Sequence, residues 1–173
     1  MDKLIDIATK YKCTDKGTLH SYLDVYDELF SPFRDKSVNV FEVGYRENGS
    51  SEMFADYFCK GIIRAIDINK KIPRPQHPRI TLDIISIRNL RKDYFNNFIP
   101  DIAIDDGSHE LEEQLIFVKL LFPIVRRGGI LIVEDVQDIN KLDGFKELGF
   151  PFDVVDLRDK KGRYDDVLLV YKK

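Results

Sequence analysis

Acidic residues recur along this sequence, each closing a short apolar run: Glu42 in Val40-Phe41-Glu42-Val43-Gly44, then Asp67, Asp83, Asp105-Asp106 and Glu134-Asp135. Carboxylates so placed can accept hydrogen bonds from an ammonium or from ribose hydroxyls, and they can supply oxygen ligands to a hard divalent cation. In Asp105-Asp106-Gly107-Ser108-His109 the histidine adds a group able to take a proton near neutral pH. Aspartate is also a favoured helix N-cap, which would explain one or two of these positions but not an acid at all of them.

The elements that must carry these residues alternate in kind. Leu19, Tyr22, Leu23, Tyr26, Leu29 and Phe30 follow helical spacing up to Pro32, and that helix is expected to carry His20. Val38 to Val43 reads as a strand closed by Gly44. Met53, Phe54, Tyr57 and Phe58 return to helical spacing, and Ile62 to Asp67 is a second strand. Arg79 to Leu82, Asp101 to Asp105 and Gly129 to Val133 continue the strands, separated by a helix through Leu111, Leu115, Val118 and Phe122 that stops at Pro123. A helix at Lys141 to Leu148 precedes two last strands, Phe152 to Leu157 and Asp166 to Tyr171, with a hairpin turn expected at Asp159-Lys160-Lys161-Gly162. The alternation predicts an α/β fold: a doubly wound, Rossmann-like, seven-stranded, mostly parallel sheet with helices on both faces and an antiparallel closing edge. Residues 1–36 would form an N-terminal helical cap and 37–173 the sheet core of one domain. In such a sheet the acids stand at the carboxyl ends of the strands, where ligands bind.

The loop Gly44-Tyr45-Arg46-Glu47-Asn48-Gly49-Ser50-Ser51 narrows the ligand. A phosphate-binding Walker loop requires lysine where Ser50 stands, and the dinucleotide fingerprint requires glycine where Arg46 stands. What remains is a glycine-hinged turn into a helix beside a strand-end acid, which repels phosphate and accepts hydrogen bonds from an ammonium. Asp67, about twenty residues on, is placed to take ribose hydroxyls. A cationic nucleoside with an amino-acid tail, S-adenosylmethionine, fits this set.

Val40-Phe41-Glu42-Val43-Gly44 with Asp67 resembles motifs I and II of class I methyltransferases. Thr14-Asp15-Lys16-Gly17-Thr18-Leu19-His20-Ser21-Tyr22, with Asp105-Asp106-Gly107-Ser108-His109 and Val133-Glu134-Asp135, resembles the metal-dependent sugar O-methyltransferases of the macrocin and mycinamicin type. The resemblance implies Asp106, Glu134 and Asp135 as ligands of Mg²⁺ (or Mn²⁺) and His109 as general base. Glu42, Gly44, Ser50 and Asp67 would hold the cofactor, with Asp83 and Asp105 near its adenine and amino-acid tail. Lys16 would close the cofactor pocket together with Tyr22, and His20 and Tyr22 are candidates for the substrate side.

Composition bounds the alternatives. With 27 Lys and Arg against 30 Asp and Glu, the net charge of −3 lacks the basic field a nucleic-acid partner calls for. The longest apolar stretch, Leu115 to Val125, is broken by Lys119 and falls short of the roughly 18 residues a bilayer span needs, so no membrane partner is expected. No apolar leader follows Met1, and a cytoplasmic chain is the expectation. Cys13 and Cys59 have no metal-ligand spacing; Cys59 is expected as a small buried hydrophobe. The expected activity is divalent-metal-assisted O-methylation of a sugar hydroxyl on a glycan, glycoside or nucleotide sugar. A catechol-type acceptor and a non-catalytic nucleoside-binding regulatory domain are the alternatives. A homo-oligomer and a place in a longer glycan-building polypeptide both remain open to the sequence.

Overall fold

β-branched and aliphatic runs form the centre of the molecule, because such side chains pack well on a pleated surface buried on both faces. A computed structural model describes residues 2–11, 14–46 and 49–173. Its elements are α1 (Leu4–Ala8), α2 (Leu23–Phe30), β1 (Asn39–Val43), α3 (Gly49–Tyr57), β2 (Ile62–Asp67), β3 (Ile80–Ile84), β4 (Ile102–Asp105), α4 (Leu111–Leu121), β5 (Ile130–Val133), α5 (Asp143–Glu147), β6 (Asp153–Asp156), α6 (Arg158–Lys161) and β7 (Val167–Lys172). The strands form one seven-stranded sheet in the order β3-β2-β1-β4-β5-β7-β6. β1 is parallel to β2 and β4, and β5 is parallel to β4, whereas β7 runs antiparallel between β5 and β6. The order reverses about β1, which opens a crevice at the carboxyl ends of β1 and β4.

Period-two alternation sorts the strand residues between two cores. Val40, Ile63, Ile104, Ile132 and Leu168 face Tyr26, Phe30 and Phe54 of α2 and α3, while Phe41, Ala103, Leu131 and Leu169 face Phe95, Phe117 and Leu121. Glu42 alternates with Val43, so an acid occupies a core position on the α2–α3 face. The phase carries on past the strand ends and turns Asp106, Glu134 and Asp166 toward the same face, where α2 and the segment before it lie.

Three local expectations are corrected. Asp159 to Gly162 is no hairpin turn: Arg158–Lys161 close a turn of helix, ended by Gly162 in the left-handed region (φ 72°). α2 starts at Leu23, so His20 lies on the preceding turn and Leu19 is exposed, because Leu19 and His20 both bond back to the Asp15 carbonyl at 2.9 Å. Cys59 is exposed beyond the end of α3, not buried. Cys13 falls outside the described residues, as do Glu47 and Asn48 of the glycine loop. Among the described residues no helix is long and apolar enough to cross a membrane.

Candidate active site

The crevice has two walls. On the β1–β2 side, Gly44 turns the chain with φ 94°, a conformation that favours glycine. A Cβ there would lie 1.8 Å from the Asp106 carbonyl oxygen, so only a bare backbone lets the ends of β1 and β4 meet. Glu42 is wholly buried; Ser51 donates a hydrogen bond to its Oε2, and Oε1 has no partner. Burial pushes its carboxyl up to about 7, against the pull of Lys16 and of hydrogen bonds from Ser50 and Ser51. Asp67 at the tip of β2 accepts from the backbone N–H of Arg46 at 2.9 Å and of Asn69 at 2.8 Å. Gly44, Asp67, Ile68, Ile85, Ile87 and Gly107 line a cavity of about 190 Å³ between these tips.

On the β4–β5 side the carboxylates converge. Asp106, His109 and Asp135 offer ligand atoms within 4.8 Å of one another. His109 Nε2 lies 3.5 Å from Asp135 Oδ2, and His109 Nδ1 is buried without a partner. Asp135 Oδ1 accepts from Tyr22 Oη at 2.5 Å and lies 3.2 Å from His20 Nδ1. His20 stacks on the Tyr22 ring at 4.7 Å and reaches Asp166 Oδ1 at 3.3 Å. Burial raises the Asp135 carboxyl above the usual range, against the pull of Tyr22, His20 and His109. Arg46, His109 and Asp135, with φ 48°, 60° and 53°, are the non-glycine residues in the left-handed region among those described. All three border the crevice, where strained backbone persists because surrounding contacts hold it.

Lys16 sits inside this wall, wholly buried. Its Nζ donates to Asp106 Oδ2 at 2.6 Å and to Glu134 Oε1 and Oε2 at 2.6 and 2.8 Å, and Tyr26 Oη reaches the same Glu134 Oε1 at 2.5 Å. Burial pulls the lysine's pKa down, but Asp106, Glu134 and Glu42 outweigh it and hold the ammonium well above its ordinary value. Gly17 permits the turn that aims Lys16 inward, since a Cβ there would stand 2.2 Å from Leu23 Cδ1. From outside, Lys161 of α6 donates to the carbonyls of Gly17 at 2.7 Å and His20 at 2.6 Å.

The turn Asp106-Gly107-Ser108-His109 divides two cavities. Ser108 borders both the small one beside Gly44 and a second of about 460 Å³ lined by His109, Gln114, Gln137, Lys141 and Tyr164. Ser108 Oγ donates to Glu113 Oε2 at 2.6 Å, and Arg88 grips Glu113 at 2.7 Å, so the turn is fastened to the first turn of α4.

No protein-family model matches the chain. It is 36% identical over 137 residues, 72% of its length, to an 8-demethyl-8-alpha-L-rhamnosyl tetracenomycin-C 2'-O-methyltransferase of Streptomyces olivaceus, covering 35% of that protein. It is 32% identical over 144 residues to a demethylmacrocin O-methyltransferase of Streptomyces fradiae, covering 77% of this chain and 36% of the relative. Its fold matches the mycinamycin-pathway methyltransferase MycE, solved in complex with Mg, SAH and mycinamycin VI, with a TM-score of 0.77 and 21% identity over 99% of this chain and 54% of that one. The chain is a class I methyltransferase domain of the macrocin and mycinamicin type. It spans about a third of the length of the curated relatives it matches.

In this methyltransferase domain the structure gathers Glu42, Gly44, Ser50 and Asp67 at one wall and Lys16, His20, Tyr22, Asp106, His109, Glu134 and Asp135 at the other. Asp83 stands apart: its side chain accepts from Tyr94 Oη at 2.5 Å and does not line the crevice, because it points out of β3 one residue short of the strand's end. Asp105 is buried beneath the turn, pushed up to about 7 by burial, with Oδ1 on the Gly107 N–H at 3.2 Å. Lys16 lies among the expected metal ligands rather than over the cofactor cavity, and it occupies both oxygens of Glu134. Sequence reasoning missed Tyr26 and Asp166. A hydroxyl within an otherwise apolar helical stripe, and an acid heading an apolar strand, were the available signals. Asp166 is wholly buried and keeps Oδ2 unpartnered.

Proposed function

We propose that this domain transfers a methyl group from S-adenosylmethionine to a sugar hydroxyl with the help of a divalent cation. The observation that carries the reading is the Asp106–His109 turn, which sets a histidine and a carboxylate cluster between two cavities. The residues fit both groups. The partnerless Oε1 of Glu42 offers an acceptor to a cationic donor, and Gly44 leaves a cradle that a Cβ would fill. Asp106 and Asp135 offer carboxylate oxygens near one point, the hard donors a Mg²⁺ or Mn²⁺ ion favours, with the His109 ring beside them.

When bound, the donor supplies an electrophilic methyl group and the ion stabilises negative charge developing on the acceptor oxygen. Asp67 would orient the donor's ribose and Glu42 its cationic end. The larger cavity, with Gln114, Gln137 and Lys141 beside the Tyr164 ring, would receive the acceptor, since amide and ammonium groups answer hydroxyls and an aromatic face packs on a sugar ring. His109 would take the hydroxyl proton, and the Asp135 carboxylate 3.5 Å from its Nε2 would steady the imidazolium that results. Transfer then requires in-line placement of that oxygen, which the fastened turn of α4 maintains. Packing of α1 and α2 on the sheet supports reading residues 1–36 as a cap and 37–173 as the core of one working unit.

A relative named as a 2'-O-methyltransferase of rhamnosyl tetracenomycin-C supports a deoxyhexose acceptor. Calorimetric titration of S-adenosylhomocysteine, with and without Mg²⁺, is the test, followed by labelled methyl transfer to rhamnosides and to a catechol. Binding with transfer to the sugar supports the proposal. Transfer to the catechol alone moves the acceptor class, and absence of binding removes the methyltransferase activity.

A further inference from the structure

The structure assigns Lys16 the part of a resident cation that holds the carboxylate cluster and must leave Glu134 before a divalent ion can take that ligand. This rests on the divalent-ion reading above. The ammonium satisfies three acceptor oxygens within 2.8 Å, two of them on Glu134, and it is closed off from solvent. Tyr26 supplies a further donor to Glu134 Oε1, so that oxygen is filled and Oε2 is held by the ammonium, which stands where an ion bound across both oxygens would sit. Asp106, His109 and Asp135 by contrast have ligand atoms within 4.8 Å of one another, a set that leaves Glu134 out. Two positive charges cannot share the Glu134 carboxylate at contact distance without strong repulsion.

Exchange calls for a swing of the Lys16 side chain. The backbone around Lys16 is anchored by Tyr22 N–H on the Lys16 carbonyl at 3.0 Å and by Lys161 on its neighbours, while the lysine stem is flexible. The ion would first meet Asp106 and Asp135 and then gain Glu134 as the ammonium withdraws. Lys16 thus keeps the acids from repelling one another while no ion is bound, at the expense of affinity for the ion.

Mn²⁺ binding by calorimetry, with thermal unfolding in its presence and absence, tests this on the wild type, Lys16→Met, Glu134→Gln and the double variant. Lys16→Met should bind Mn²⁺ about tenfold tighter or more. Without Mn²⁺ it should unfold at a lower temperature than the wild type, and with saturating Mn²⁺ it should gain more. In the double variant the gain in affinity should shrink to what release of Asp106 Oδ2 supplies, because Glu134 is the ligand that Lys16 holds by both oxygens. Lys16→Gln, which still donates to Glu134, gives an intermediate affinity and serves if Lys16→Met fails to fold. Unchanged or weaker binding by Lys16→Met and Lys16→Gln overturns the inference, as does a gain undiminished by Glu134→Gln. No Mn²⁺ binding by the wild type or any variant overturns the divalent-ion reading itself.

Discussion

On the β1–β2 side of the crevice, Ser51 serves Glu42 across 9 residues of chain and Arg46 serves Asp67 across 21. On the β4–β5 side, Lys16 reaches Asp106 across 90 residues and Glu134 across 118, and His20 meets Asp166 across 146. The first wall is made by one strand–loop–helix unit and the tip of the next strand, and it leaves an acceptor oxygen without a partner. The second wall is assembled from both ends of the chain, and Asp106, Glu134 and Asp135 there are already engaged by lysine, tyrosine and histidine. A pocket for a neutral or singly charged molecule can be built locally. A cluster of buried acids needs counter-charges, and these come from wherever the fold can bring a cation or a hydroxyl.

If the walls are separable in function, His109→Ala should show it with the largest effect. Turnover should fall by roughly 10²–10⁴-fold, the usual contribution of a general base, while S-adenosylhomocysteine binds as before. Equal loss of binding and turnover would mean that the walls act as one. Gly44→Ala should damage both, because the added Cβ strikes the Asp106 carbonyl and the backbone sits at φ 94°. A stability loss on the order of 4 kcal/mol by denaturant unfolding is expected, and an unchanged midpoint would refute the close approach.

Glu42→Gln sharpens the comparison through pH. The carboxyl is raised to about 7 in the folded protein from 4.5, so the folded state keeps a proton that the unfolded chain releases in that interval. The stability it contributes is complete below pH 4.5 and lost as pH rises through about 7. Glutamine stays neutral throughout. The variant should therefore nearly match the wild type at pH 4.5 and exceed it at pH 8 by about 3 kcal/mol in the ligand-free protein. Parallel unfolding curves across that range would show that Glu42 is not held neutral by burial. The smallest effect belongs to Asp83→Asn, which should leave donor affinity unchanged because the side chain faces Tyr94; a marked fall would place the donor beyond the β2 tip.

Much of this was legible in the residues. Strand–helix alternation gave the sheet, and Gly44 with Glu42 and Asp67 marked the first wall, because each is a local requirement of a strand end. The Asp106–His109 turn and Glu134-Asp135 were equally visible as strand-end polar residues. The turn of helix at Arg158–Lys161 was not, since charged residues around a glycine suit a hairpin as well as a helix; its docking against the Gly17 and His20 carbonyls supplies the preference. Tyr26 was hidden in an apolar stripe whose spacing says which face is buried but not what the buried face meets.

By itself the sequence determined the period of each element, the polarity of each strand end and the positions where only glycine fits, all of which depend on neighbours a few residues away. Only the tertiary structure decided that Lys16 would fill the carboxylate cluster, that Glu134 would be spent on it and on Tyr26, and that Asp166 would share His20 with Asp135. Those pairings depend on which face of the sheet the cap covers, and that is set by the apolar residues of α1 and α2 that join the core of strands far along the chain, with Lys161 of α6 fastening the turn before α2.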